Sequence, residues 1–165
     1  MNPASKPTDA VTTAIDKTID QLGYAGLLPF VGLAGLLWCI HADLLAFVAA
    51  ALTSYAAVIA AFLGGVHWGV GFLSLPAGSS SPPTVLSPAA VRFHFVWGIT
   101  PSLMAWLALL MPAYAALPLL SLVLVLCYAV DRKTYAALGL SHWLPLRLRL
   151  TVVATISCLL GAAAI

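Results

Sequence analysis

The sequence predicts an all-α integral membrane bundle of five transmembrane helices, and three observations predict it. The 165 residues are 62% hydrophobic and only 7% charged, where a soluble domain is about 45–50% apolar and about 25% charged. The few charges punctuate long uncharged stretches, 21–42, 44–91, 93–130 and 150–165. When those stretches are threaded through a bilayer, all seven Lys and Arg fall on one side, as the positive-inside rule requires. One core of this size cannot hide so much apolar surface from water. A soluble globular protein, a disordered tail and a nucleic-acid binder are therefore excluded. The net charge of +2 is too small to imply an anionic partner.

The elements follow in order. Residues 1–21 are a polar, cytoplasmic N-terminal tail holding three Asp, with neither the short apolar core and cleavage site of a signal peptide nor an Arg-rich composition. Val11, Ile15, Ile19 and Leu22 recur at helical spacing, and Thr8 and Asp9 can cap the start, so the tail reads as an amphipathic stub on the inner surface. The transmembrane domain is 22–165. A span needs about 20 apolar residues, and the first runs over 22–40, with a bend expected at Pro29. The second runs over 44–75. Its roughly 48 Å, at 1.5 Å per residue, exceed the roughly 30 Å hydrocarbon layer. It must tilt, kink at Gly64–Gly65 or project. The run Pro76-Ala77-Gly78-Ser79-Ser80-Ser81-Pro82-Pro83 is a low-complexity linker. Met111-Pro112-Ala113 splits the next stretch into helices at 91–110, with a bend at Pro101, and 114–130. Pro145 opens the last helix, 145–165. Five spans put the N-terminus in the cytoplasm and the C-terminus outside.

Ala57, Ala61, Gly65 and Gly69 stand four apart on the second span and read as a small-residue face for close helix packing, with Gly64 and Gly71 on a neighbouring stripe beside His67. His67 and Trp68 near its inner end, and His94 and Trp97 at the inner start of the third span, are the candidate ligand-binding residues. Asp131 closes the fourth span and Arg147 opens the fifth across a short loop, which places them at similar depth as a candidate ion pair. A belt of Trp with snorkelling Arg would account for part of this inner cluster without any ligand.

No catalytic signature is present: there is no GxSxG, P-loop, GxGxxG or paired carboxylate motif, and a non-enzymatic role is expected. Cys39, Cys127 and Cys158 are scattered through apolar runs, which argues against a disulfide framework or a metal site. No cofactor is implied, and lipid, quinone or tetrapyrrole are the ligand classes that the inner cluster admits. His67 with His94 is the only same-side helical pair that could serve a haem.

Four blocks then stand in order: Leu22-Gly23-Tyr24-Ala25-Gly26-Leu27-Leu28-Pro29-Phe30, Phe62-Leu63-Gly64-Gly65-Val66-His67-Trp68-Gly69, Val130-Asp131-Arg132 and Leu146-Arg147-Leu148-Arg149-Leu150-Thr151. The set resembles the domain-of-unknown-function family numbered 3429, over about residues 22–160. That family comprises small bacterial membrane proteins related to a small mitochondrial transmembrane protein of animals. The resemblance implies a multi-span protein of the bacterial inner membrane and carries no activity. Two functions stay open. One is a structural or accessory protein that packs against a membrane partner or a second copy of itself through the small-residue face. The other is a binder or carrier of a lipophilic or tetrapyrrole ligand near the cytoplasmic leaflet.

Overall fold

The computed structural model describes residues 7–75 and 86–165, with side chains from Thr13 onward. The linker 76–83, the caps at Thr8 and Asp9 and the side chain of Val11 lie outside what is described. Among the described residues the chain is all-helical: α1 (Pro7–Ala25), α2 (Leu28–Leu37), α3 (Ala42–Leu73), α4 (Pro88–Leu109), α5 (Ala113–Thr134) and α6 (Leu144–Ala163), with one 3-10 turn, Ser141–Trp143, before α6.

The side chains are arranged for lipid. Phe47 is 74% exposed and Leu73 90%, while His67 and Asp131 are each 2% exposed. In water this distribution would be inside out; in a bilayer the apolar exterior is solvated and the polar groups must find partners inside. Four segments are long and apolar enough to cross a membrane: Thr13–Leu37, Ala42–Leu73, Ala113–Thr134 and Ser141–Ala163. The protein is thus an integral membrane protein. α4 equals α5 in length, 22 residues each, but Arg92, His94, Thr100 and Pro101 dilute its apolar character.

The beginning departs from expectation. The 22–40 span is not one helix: α1 begins at Pro7, continues past residue 21 without a break and stops at Ala25, and α2 resumes at Leu28. Pro29 lacks a backbone N–H and sits in the first turn of α2. The break frees the Gly26 carbonyl, which the Tyr55 hydroxyl of α3 reaches with a 2.7 Å hydrogen bond. Ile15, Ile19 and Leu22 remain exposed. Farther along, α3 is continuous through Gly64–Gly65, so the extra length is not taken up by a break there. α5 continues four residues past the expected end at 130, to Thr134. Its turn toward α6 uses Gly139 at φ +70°, a conformation that glycine adopts without cost.

α3 packs most extensively on α4, and α5 on α6, with α2 filling the side between α3 and α6. The core is largely alanine, including Ala49, Ala56, Ala60, Ala105, Ala108 and Ala116, with larger Leu52, Leu117, Leu120 and Leu124 interleaved. Small side chains let helix backbones approach, which is how helices associate where lipid offers no hydrophobic driving force between them. Two buried hydroxyls are satisfied locally: Thr53 donates to the Ala49 carbonyl at 2.8 Å and Ser121 to that of Leu117 at 3.0 Å.

Candidate functional site

The end of α3, the start of α4, the end of α5 and the start of α6 meet at one end of the bundle. Each contributes one polar side chain to a continuous chain of contacts. Arg147 Nε donates to Asp131 Oδ2 at 2.9 Å, and its Nη2 reaches the same oxygen. His67 Nε2 stands 3.0 Å from Asp131 Oδ1, and His67 Nδ1 stands 2.9 Å from His94 Nδ1, with the two rings stacked at 26°. His67, His94 and Asp131 are each 2% exposed, and Arg147 is half-buried. Two N–H donors converge on one carboxylate oxygen of Asp131, and a buried acid is tolerable in this setting only when it is paired and hydrogen-bonded. Tyr135, in the turn after α5, is buried against this group. Burial pushes its phenol up, the Asp131 charge adds to that, and Arg147 opposes it. It therefore stays a neutral hydroxyl.

Asp131 and Arg147 are thus in contact, and His67 and His94 join them, a link that the sequence reading did not make. The signal was present: His67 belongs to the stripe Ala57, Ala60, Gly64, His67, Gly71, and His94 to the stripe His94, Gly98, Pro101, Ala105, Ala108, all of them buried. Spacings that alternate three and four hold one face of a 3.6-residue helix. The two tryptophans are not part of the chain. Trp68 packs on Phe72 and Phe95 and donates to the Phe95 carbonyl at 2.9 Å, tying α3 to α4. Trp97 lies parallel to Phe93, with its Nε1 buried and unpartnered among the described residues.

Within the bundle the expected packing face is used only in part. Ala57 is buried, Ala61 is partly so, and Gly65 and Gly69 are exposed with open space where a Cβ would stand. The reason is helical phase. Steps of four residues advance about 400°, so the ladder drifts about 40° per step. Three steps carry it off the contact. The close approach is made instead by Gly64, where a Cβ would strike the Gly98 carbonyl oxygen, and by Gly98, where it would strike the Trp68 ring. Gly71 takes the edge of the Phe95 ring at 3.0 Å. Gly98 and Gly161, whose Cβ would strike Leu52, are packing glycines that the reading missed.

Behind the polar chain a cleft opens between α1, α3 and α6. It comprises a cavity of about 480 Å³ near Tyr135, Leu140 and Trp143, and a smaller one of about 160 Å³ reaching Phe30, Leu124 and Ala154. The two share Leu22, Gly23, Phe62, Leu63, Arg147 and Leu150 in their walls, and among the described residues Arg147 is the one charged residue in either. Neither cavity is lined by His67 or His94. Among the described residues, no group of three or more His, Cys, Asp or Glu is placed to hold a metal ion.

Comparison with known proteins agrees with this architecture. Transmembrane protein 69 of Xenopus tropicalis is 37% identical over 92 residues, which are 54% of this chain and 31% of that protein. The matched region thus spans less than a third of the relative's length. No solved structure matches. The family described as "Protein of unknown function (DUF3429)" matches residues 15–163, nearly the whole of the helical bundle, and this chain belongs to that family.

Proposed function

We propose that this protein binds a lipophilic molecule in the α1–α3–α6 cleft, with an apolar chain along Phe62, Leu63 and Leu150 and a polar head at Arg147. The observation that carries the reading is the position of Arg147: among the described residues it is the only charge in a largely apolar wall, Asp131 takes its Nε and Nη2 edge, and the Tyr135 hydroxyl stands beside it as a second polar group in the same wall. Ligand sites commonly combine an apolar wall with a few placed polar groups, and an ionisable residue inside a membrane bundle most often serves function. A quinone carbonyl or a lipid carboxylate both suit a guanidinium. The test is native mass spectrometry of the protein extracted in mild detergent. A bound lipophilic species is expected on the wild type and is expected to be depleted in Leu63→Trp, which fills the cleft. Equal occupancy in the two proteins would sink the reading.

A specific observation favours a second function. The exposed edge of Ala61, Gly65 and Gly69 adjoins a shallow depression with Trp68, Gly98 and Ser102, a surface on which a helix of a membrane partner or of a second copy could lie. Gly65→Leu should leave the isolated protein as stable as wild type and remove any copurifying partner or dimer. Retention of the partner would exclude this surface.

We also infer that α4 crosses the bilayer, since it packs along α3 and α5, and that the polar end faces the cytoplasm of a bacterial cell. Of the three thiols Cys39 is exposed, in the turn between α2 and α3, whereas Cys127 and Cys158 are buried. A membrane-impermeant maleimide should label Cys39 on intact spheroplasts. Labelling that appears only after permeabilisation would invert the topology.

A further inference from the structure

We propose that His67 and His94 form a proton-binding site that takes up one proton for the two rings, admits it at His94 Nε2 and delivers the charge to His67 beside Asp131. This proposal stands independently of the ligand reading above, because it rests on the histidine contacts and not on the cleft. The hydrogen-bond order follows from the partners. Asp131 accepts from Arg147 at Oδ2 and offers Oδ1 as an acceptor, so His67 Nε2 is assigned the hydrogen. In the neutral pair His67 Nδ1 is then a lone pair. The 2.9 Å Nδ1–Nδ1 contact holds one hydrogen, supplied by His94 Nδ1–H. His94 Nε2 is consequently unprotonated, and the one hydrogen bond His94 makes among the described residues is at Nδ1.

A proton arriving at His94 Nε2 makes that ring an imidazolium. The shared hydrogen then moves along the Nδ1–Nδ1 line: the His94 Nδ1–H bond breaks as the His67 Nδ1–H bond forms. His94 is left neutral with hydrogen on Nε2, and His67 becomes the cation, with Nε2–H on Asp131. One proton has entered and no other atom has been exchanged. A second proton is excluded, since two hydrogens do not fit between nitrogens 2.9 Å apart. The charged and titratable groups around the pair are Asp131 and Cys127 on α5, Tyr135 in the turn that follows, and Arg147 on α6. α3 and α4 contribute the rings themselves, and Arg92 of α4 is exposed. With the cation on His67 the Asp131 carboxylate is flanked by two cations, His67 at Oδ1 and Arg147 at Oδ2.

The test is NMR of the full-length protein, 15N-labelled at histidine, in detergent micelles between about pH 8 and pH 5, where imidazoles change charge. The exposed His41 and His142 serve as internal references. His67 and His94 should move together through one transition, and a 15N–15N coupling through the hydrogen bond should join their Nδ1 nuclei. His94→Gln can still donate to His67 but cannot accept the proton; its His67 transition should vanish or fall by at least about one pH unit, the mark of strongly coupled sites. Asp131→Asn should also lower the shared midpoint. Two full imidazolium rings, no uptake by pH 5, or a His67 titration unchanged in His94→Gln would each overturn the proposal.

Discussion

Asp131→Ala should lower the stability of the folded protein by on the order of 3–5 kcal/mol, the range found when one partner of a buried ion pair is removed. The carboxylate is 2% exposed and receives Arg147 on one oxygen and His67 on the other. Its loss leaves a half-buried guanidinium without a counter-charge and orphans the His67 Nε2 hydrogen. The decisive comparison is a cycle measured by thermal unfolding in detergent. Arg147→Leu should be nearly as costly, because it abandons the carboxylate. Asp131→Leu with Arg147→Leu should recover most of the loss, because replacing both charges with apolar groups is often close to neutral. Strictly additive losses would show that the two residues are not coupled, and the polar end of the bundle would then be a set of independent topology signals.

Gly64→Ala comes next in expected effect. A single methyl group at this position meets the Gly98 carbonyl oxygen and, at 3.3 Å, the Pro101 ring. Both belong to backbone or to a rigid ring, so neither can swing aside. The α3–α4 contact must open, at about 1–3 kcal/mol for overpacking. Gly65→Leu, one residue along, adds four carbons into open space and should stay within about 0.5 kcal/mol. A Gly64→Ala protein that unfolds at the temperature of Gly65→Leu would contradict the close approach at Gly98.

Adjacent glycines with opposite expected behaviour illustrate what could be read in advance. The block Gly64-Gly65-Val66-His67-Trp68-Gly69 marks a crowded stretch of helix, yet the i+4 ladder pointed to Gly65 and Gly69, and the 3-4 stripe through Gly64 and His67 is the one that is buried. Both patterns are present in the letters; which faces inward depends on where α4 lies. The Asp131–Arg147 contact was more accessible to sequence reasoning, because the one inner-side acid outside the N-terminal tail stood opposite a basic helix start across a short connection. The break at Gly26–Leu27 was partly legible. Pro29 announced a disturbance, but the division into α1 and α2 requires the Tyr55 hydroxyl, 29 residues away, to take the freed carbonyl.

The sequence by itself determined that the chain lives in lipid and where three of its membrane-length segments fall, those of α3, α5 and α6. Apolar transfer free energy accumulates residue by residue along a segment, so composition and length suffice. Only the tertiary structure decided that His67, 64 residues from Asp131, shares its carboxylate with Arg147 and its other nitrogen with His94. Such contacts depend on the rotational phase of each helix and on the choice of neighbours. In a membrane both are selected by the close packing of small side chains and by the need to satisfy every buried polar group, conditions set jointly by segments far apart in the chain.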